Sequence, residues 1–248
     1  MTLLRLVRSE ARKLATTRLV WGFLGTLVVF SVIVAVAVVL GSATDDAVGF
    51  VSTVEDQRSV LAFGANAMTF AALLGATAVA REYAHGTVVP TYLLSPTRHQ
   101  VQLAQLTVLL VAGGGLGAVG GGLTVAAGAV ALPLVDEQLL VATADMARLV
   151  GSAGLAGAAG AALGAGAGAI VRNTGGAITA VVLLLLIGPP LVGQLLVEVA
   201  PWTPSSLIGV LAGVSDVHAA GTALAVLAVW GLAPAGLGVA AVQRRDVV

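Results

Sequence analysis

LVWGFLGTLVVFSVIVAVAVVLG, residues 19–41, runs for 23 residues without a charge. At 1.5 Å per helical residue it reaches about 35 Å, enough to cross a hydrocarbon core of about 30 Å. The basic segment before it, TLLRLVRSEARKLATTR (2–18), could precede a secretory leader. The apolar run exceeds the roughly 7 to 15 residues of a leader's core, however, so it reads as an uncleaved span. Working outward, five more apolar stretches follow at 60–80, 104–132, 147–171, 177–199 and 221–242. The expectation is an all-α membrane protein: a single domain, residues 1–248, with six transmembrane helices. A chain that is 58% hydrophobic and 10% charged fits that class, and no loop is long enough to hold a soluble domain.

The charges are sorted by side. With the N-terminus inside, Arg5, Arg8, Arg12, Lys13, Arg18, Arg81, Arg98, Arg172, Arg244 and Arg245 are inside, ten of the twelve basic residues. Only Arg58 and Arg148 are outside. Nine of the twelve acids (Asp45, Asp46, Glu55, Asp56, Asp136, Glu137, Asp145, Glu198 and Asp216) fall outside, leaving Glu10, Glu82 and Asp246 inside. Both termini are therefore expected in the cytoplasm.

Several chemistries are excluded or unsupported. There is no cysteine, which removes disulfides, thiol catalysis and cysteine-bound metal. The single lysine, Lys13, follows no glycine-rich loop, so the chain carries no Walker A site; any ATP used must bind another chain. His85, His99 and His218 all fall in predicted loops, and neither HExxH nor GxSxG occurs, which argues against an enzyme. No ionisable residue lies at mid-depth in a predicted span, where an ion-coupled carrier commonly holds one.

Within the spans, Gly113, Gly117 and Gly121 form one small-xxx-small series, and Gly160, Gly164 and Gly168 another. Such series let helix backbones approach closely, either beside a translocation path or in ordinary helix contacts. Pro189 and Pro190 interrupt span five and Pro234 lies in span six, as hinges or as tolerated bends. Trp21 and Trp202 fit interfacial anchoring, while Trp230 sits deeper with no evident role.

Two segments carry the functional reading. In residues 1–18, Leu3, Leu6, Val7, Ala11 and Leu14 recur at helical spacing, with Arg5, Arg8 and Arg12 on another stripe. That pattern predicts an amphipathic helix in the headgroup plane, although a basic flank that only fixes topology gives similar periodicity. The second segment, 81–103, is too long for a tight turn and mixes polar groups with Tyr83, Tyr92, Leu93 and Leu94. It reads as a docking element or as an interfacial loop resting on lipid.

Together, EARKLATTR (10–18), REYAHGTVVPTYLLSPTR (81–98), the proline-bearing stretch after span five and the tail RRDVV resemble the membrane subunit of a type-two ABC transporter, over essentially the whole chain. The sequence departs at Gln102 and Gln105, where relatives often carry a lysine. The resemblance implies that Arg81, Glu82, His85, Gly86, Thr87, Leu94, Pro96 and Arg98 form the coupling segment on a separate ATPase. It implies that the N-terminal helix, with Arg5, Arg8, Arg12 and Lys13, supports that segment. Residues 195–218, with Pro201, Trp202 and Pro204, would be an outer re-entrant region. The implied protein is a multi-pass permease of the plasma membrane, paired with a second permease copy in the lipid bilayer. ATP and Mg would sit on the partner ATPase, with no cofactor in this chain and no nucleic-acid partner. A secondary carrier or channel, and a non-transporting anchor or immunity protein, stand as alternatives.

Overall fold

The structure is a computed structural model that describes residues 3–42, 51–87 and 98–244. Among these residues there are helices and turns but no strands. α1 (Leu3–Thr16) lies ahead of α2 (Arg18–Ser42). α3 (Val54–Leu61) passes through a 3₁₀ stretch, Ala62–Asn66, into α4 (Ala67–Ala84). α5 (Arg98–Ala131) is followed by α6 (Thr143–Val171). α7 (Thr174–Val182), a π-helical turn at Leu183–Ile187 and α8 (Gly188–Leu195) make one continuous rod. α9 (Pro204–Ala212) then leads to α10 (Ala220–Arg244).

Six of these helical runs are long and apolar enough to cross a membrane: Arg18–Ala37, Val54–Ala84, His99–Val135, Thr143–Val171, Thr174–Leu195 and Ala220–Arg244. Each overlaps one of the six expected spans, and the second and third begin furthest ahead of it. The second starts at Val54 rather than 60, because Thr53 Oγ1 accepts the Asp56 amide (3.1 Å) and Glu55 and Asp56 complement the helix N-terminus. The third lies on α5, a 34-residue helix that starts at Arg98 and is about 50 Å long, well beyond a bilayer core. His99 is thus helical rather than in a loop.

α6 is the centre of the bundle, packed against α4, α5 and α10. Its small residues permit this, since lipid offers no hydrophobic drive for helix association and close van der Waals contact must supply it. A Cβ added at Gly164 would stand 1.8 Å from the Ala72 carbonyl oxygen of α4, and one at Gly117 of α5 only 2.1 Å from that of Ala153. A Cβ added at Gly166 would stand 2.2 Å from the Pro234 carbonyl oxygen of α10. The two glycine series are therefore backbone-contact faces. α2 and the α7–α8 rod lie outside this core and turn Val29, Val32, Ile33, Leu183, Leu186 and Leu191 outward.

The prolines are accommodated locally. Pro189 and Pro190 sit in the first turn of α8, and the preceding π-turn bonds the Gly188 amide to the Leu183 carbonyl instead of the usual i−4 partner. Pro234 lies inside α10 without ending it.

Candidate functional site

α1 lies across the start of α5, with Leu6 buried against Val101 and Ala104. One helical turn on from Leu6, the buried position is Glu10, at 6% exposure, where the sequence pattern had assigned Ala11 to the apolar stripe. Lys13 explains it: its Nζ lies 2.6 Å from Glu10 Oε1 and 3.3 Å from Glu82 Oε1 at the end of α4. One ammonium thus joins the N-terminal helix to the second span. Burial pushes the Glu10 carboxyl above its usual range; the Lys13 hydrogen bond opposes this and the Glu82 charge adds to it. Burial also acts against the Lys13 charge, but hydrogen bonding to Glu10 and the two carboxylates outweigh it and raise its pKa. The three residues border a cavity of about 480 Å³, floored by Leu14, Leu19, Val108 and Leu109 and rimmed by Arg81, His85, Thr87 and Gln105.

The expected coupling residues divide as follows. Arg81 and Glu82 form the last turn of α4, Arg81 exposed and Glu82 turned to Lys13. His85 caps the helix: its amide donates to the Arg81 carbonyl (3.0 Å), and its ring Nδ1 lies 3.0 Å from the same oxygen. Gly86 adopts φ +66°, which lets the chain leave the helix without a Cβ penalty. Thr87 Oγ1 reaches the Glu82 carbonyl at 3.4 Å. Leu94 and Pro96 lie outside the described residues, and Arg98 opens α5. On α1, Arg5, Arg8 and Arg12 are exposed, whereas Lys13 is drawn inward. The long loop is therefore shorter than expected at both ends, because α4 runs on to Ala84 and α5 begins at Arg98.

Sequence reasoning missed a second polar centre, at the opposite end. Gln57 is 1% exposed; its Nε2 donates to the carbonyls of Val51 (3.0 Å) and Gln138 (2.8 Å), and its Oε1 accepts the Leu140 amide (2.8 Å). Beside it Arg58 pairs with Asp145. Arg148 Nε and Nη2 donate to the carbonyls of Leu211 (2.8 Å) and Val210 (2.9 Å), the last turn of α9. There the guanidinium bonds two carbonyls of the helix's last turn, that of Val210 shared with the Gly213 amide (3.1 Å), and meets the negative end of the helix dipole. Arg58 and Arg148, the two exceptions to the charge sorting, were the available signal for this centre.

In the expected outer region, Pro201 lies in a 3₁₀ turn, Ala200–Trp202, and buried Pro204 starts α9. Trp202 stacks with His218 at 4.1 Å between ring centroids, and its carbonyl accepts the indole N–H of Trp230 (3.0 Å). That bond gives Trp230 its place.

In comparison with known proteins, no family model matches the chain and no curated protein matches it.

Proposed function

We propose that the chain is the permease subunit of an ABC exporter, driven by a separate ATPase subunit that binds ATP and Mg. The observation that carries this reading is the Glu10–Lys13–Glu82 tie, which joins an amphipathic N-terminal helix to the second span where the coupling segment begins. A push on the segment following Glu82 would pass to α1 through Lys13 and to the bundle through α4, whose backbone rests on α6. In this reading Arg81, Glu82, His85, Gly86, Thr87, Leu94, Pro96 and Arg98 couple to the ATPase, and the termini face the cytoplasm of a cell whose plasma membrane holds the bundle. Two copies of the chain enclose the path, and residues 195–218 close its outer mouth. An apolar path would suit a hydrophobic drug, lipid or peptide.

The test is co-purification with the ATPase encoded nearest to the chain, followed by transport in proteoliposomes. Glu82→Gln is expected to stay inserted and dimeric yet separate ATP hydrolysis from export, while Glu55→Gln changes neither. Wild-type transport with normal ATPase stimulation by the Glu82 variant would overturn the coupling assignment. Orientation is tested separately with single cysteines and an impermeant thiol reagent on intact cells: position 48 should label and position 90 should not. Cross-links between like positions of spans two and five are expected across the dimer, and a monomer that transports alone would refute it.

A further inference from the structure

Between α6 and α7 the chain turns on two residues. Arg172 ends α6 in the left-handed region (φ 56°), and Asn173 caps α7 by accepting the Gly176 amide (2.9 Å). Both flanking helices are among the six able to cross a bilayer, so the turn stands at headgroup depth. The Arg172 guanidinium lies over the Tyr83 ring, 5.1 Å from its centroid, and Tyr83 Oη accepts from Gln102 Nε2 (3.4 Å). The ring face fixes the plane of the guanidinium. Its Nε and Nη2 are buried and have no hydrogen-bond partner among the described residues. These two nitrogens form the side-on edge of the guanidinium, the fork that meets two oxygens of a phosphate or carboxylate.

The chain supplies little to fill that fork. Of the three acids at this end, Glu10 and Glu82 both pair with Lys13, and Asp246 lies outside the described residues. Residues 88–97 contain no acid. Lipid, in contrast, is adjacent: Val171, next to Arg172 in the chain, is 39% exposed. We propose that Arg172, braced on Tyr83 in the α6–α7 turn, binds the phosphate of an anionic phospholipid in the leaflet at the N-terminal end of the bundle. Basic positions between spans at this depth are suited to such headgroups. The inference needs membrane embedding only and does not depend on an ATPase.

The experiment measures phosphatidylglycerol retained by the purified full chain in detergent, by native mass spectrometry, against phosphatidylcholine. Arg172→Asn removes the guanidinium with a residue that tolerates the left-handed backbone. It should lower phosphatidylglycerol retention about ten-fold, while Arg244→Gln at the exposed end of α10 changes it less than about two-fold. Arg172→Lys keeps the charge but loses the fork, and about a three-fold drop is expected. Unchanged retention in Arg172→Asn, or in Arg172→Lys should the first variant fail to fold, overturns the proposal. Equal protection of wild type against heat by inorganic phosphate and by phosphatidylglycerol overturns the lipid source. Lost ATPase recruitment with unchanged lipid retention would assign the fork to a protein carboxylate and also overturn it.

Discussion

At the end opposite the N-terminus, Gln57 and Arg148 bond to five backbone groups, those of Val51, Gln138, Leu140, Val210 and Leu211. At the N-terminal end, Glu10 and Glu82 both bond to Lys13 beside a cavity of about 480 Å³. A side chain bonded to backbone fixes the position of a loop or helix end, because the partner cannot change rotamer. A bond between two long side chains fixes only a range of positions, since both partners can follow a moving helix. One end is thus pinned and the other is tethered.

The largest expected effect tests the pinned end. Gln57→Leu would bury two carbonyls and one amide without partners, at a cost of about 3 kcal/mol in total, read as a fall in unfolding temperature in detergent. A near-wild-type transition would mean that the loop re-forms these bonds with solvent and is not pinned.

Next comes the tether. Lys13→Met leaves Glu10 buried and uncompensated, at about 1–2 kcal/mol, less than for a fully buried pair because Lys13 is 41% exposed and screened. Its pH dependence has a definite sign. The Glu10 pKa is raised above 4.5, chiefly by burial, so folding favours the protonated acid. That contribution is fully present below 4.5 and is lost as pH rises through the raised value. Removing Lys13 raises the value further, so the deficit of the variant should be smaller at about pH 5 than at about pH 8. Lys13 itself has a pKa raised above 10.5, so its own contribution is fully present below that value and constant near neutrality. An equal deficit at both values would show that Glu10 is solvated.

Smaller still, Arg148→Gln loses two bonds at the α9 terminus, about 1 kcal/mol, with faster local hydrogen exchange over residues 204–213 as the sensitive readout. Glu82→Gln should change stability least, about 0–1 kcal/mol, since Lys13 keeps its bond to Glu10. If Glu82→Gln costs as much as Gln57→Leu, the contrast between the two ends fails.

The six spans could be read from the chain because long apolar runs leave a one-dimensional signal, and the glycine series because a small residue every fourth position marks one helix face. Gln57 could not. Its partners are backbone groups 6 to 83 residues away, which any sequence would supply, and Glu55–Arg58 look like loop residues until the helix places Gln57 inward. Glu10 was hidden for a related reason: an acid in an apolar stripe is legible only once Lys13 is seen to cover it. The positions of Arg81, Glu82, His85, Gly86 and Thr87 around one helix end follow from their adjacency, whereas the tie to Lys13, 69 residues from Glu82, required the fold.

The contact between Gly166 and the Pro234 carbonyl bears on how the protein is made. Synthesis runs from the N-terminus, so α4 and α5 are in place when α6 emerges, but α10 is the last of the six spans to be completed. Until it arrives, α6 carries an open, glycine-lined side whose fit is to one particular carbonyl. Docking of α10 therefore follows insertion of the other five spans, and a chain halted before α10 would leave that glycine-lined side open to the bilayer.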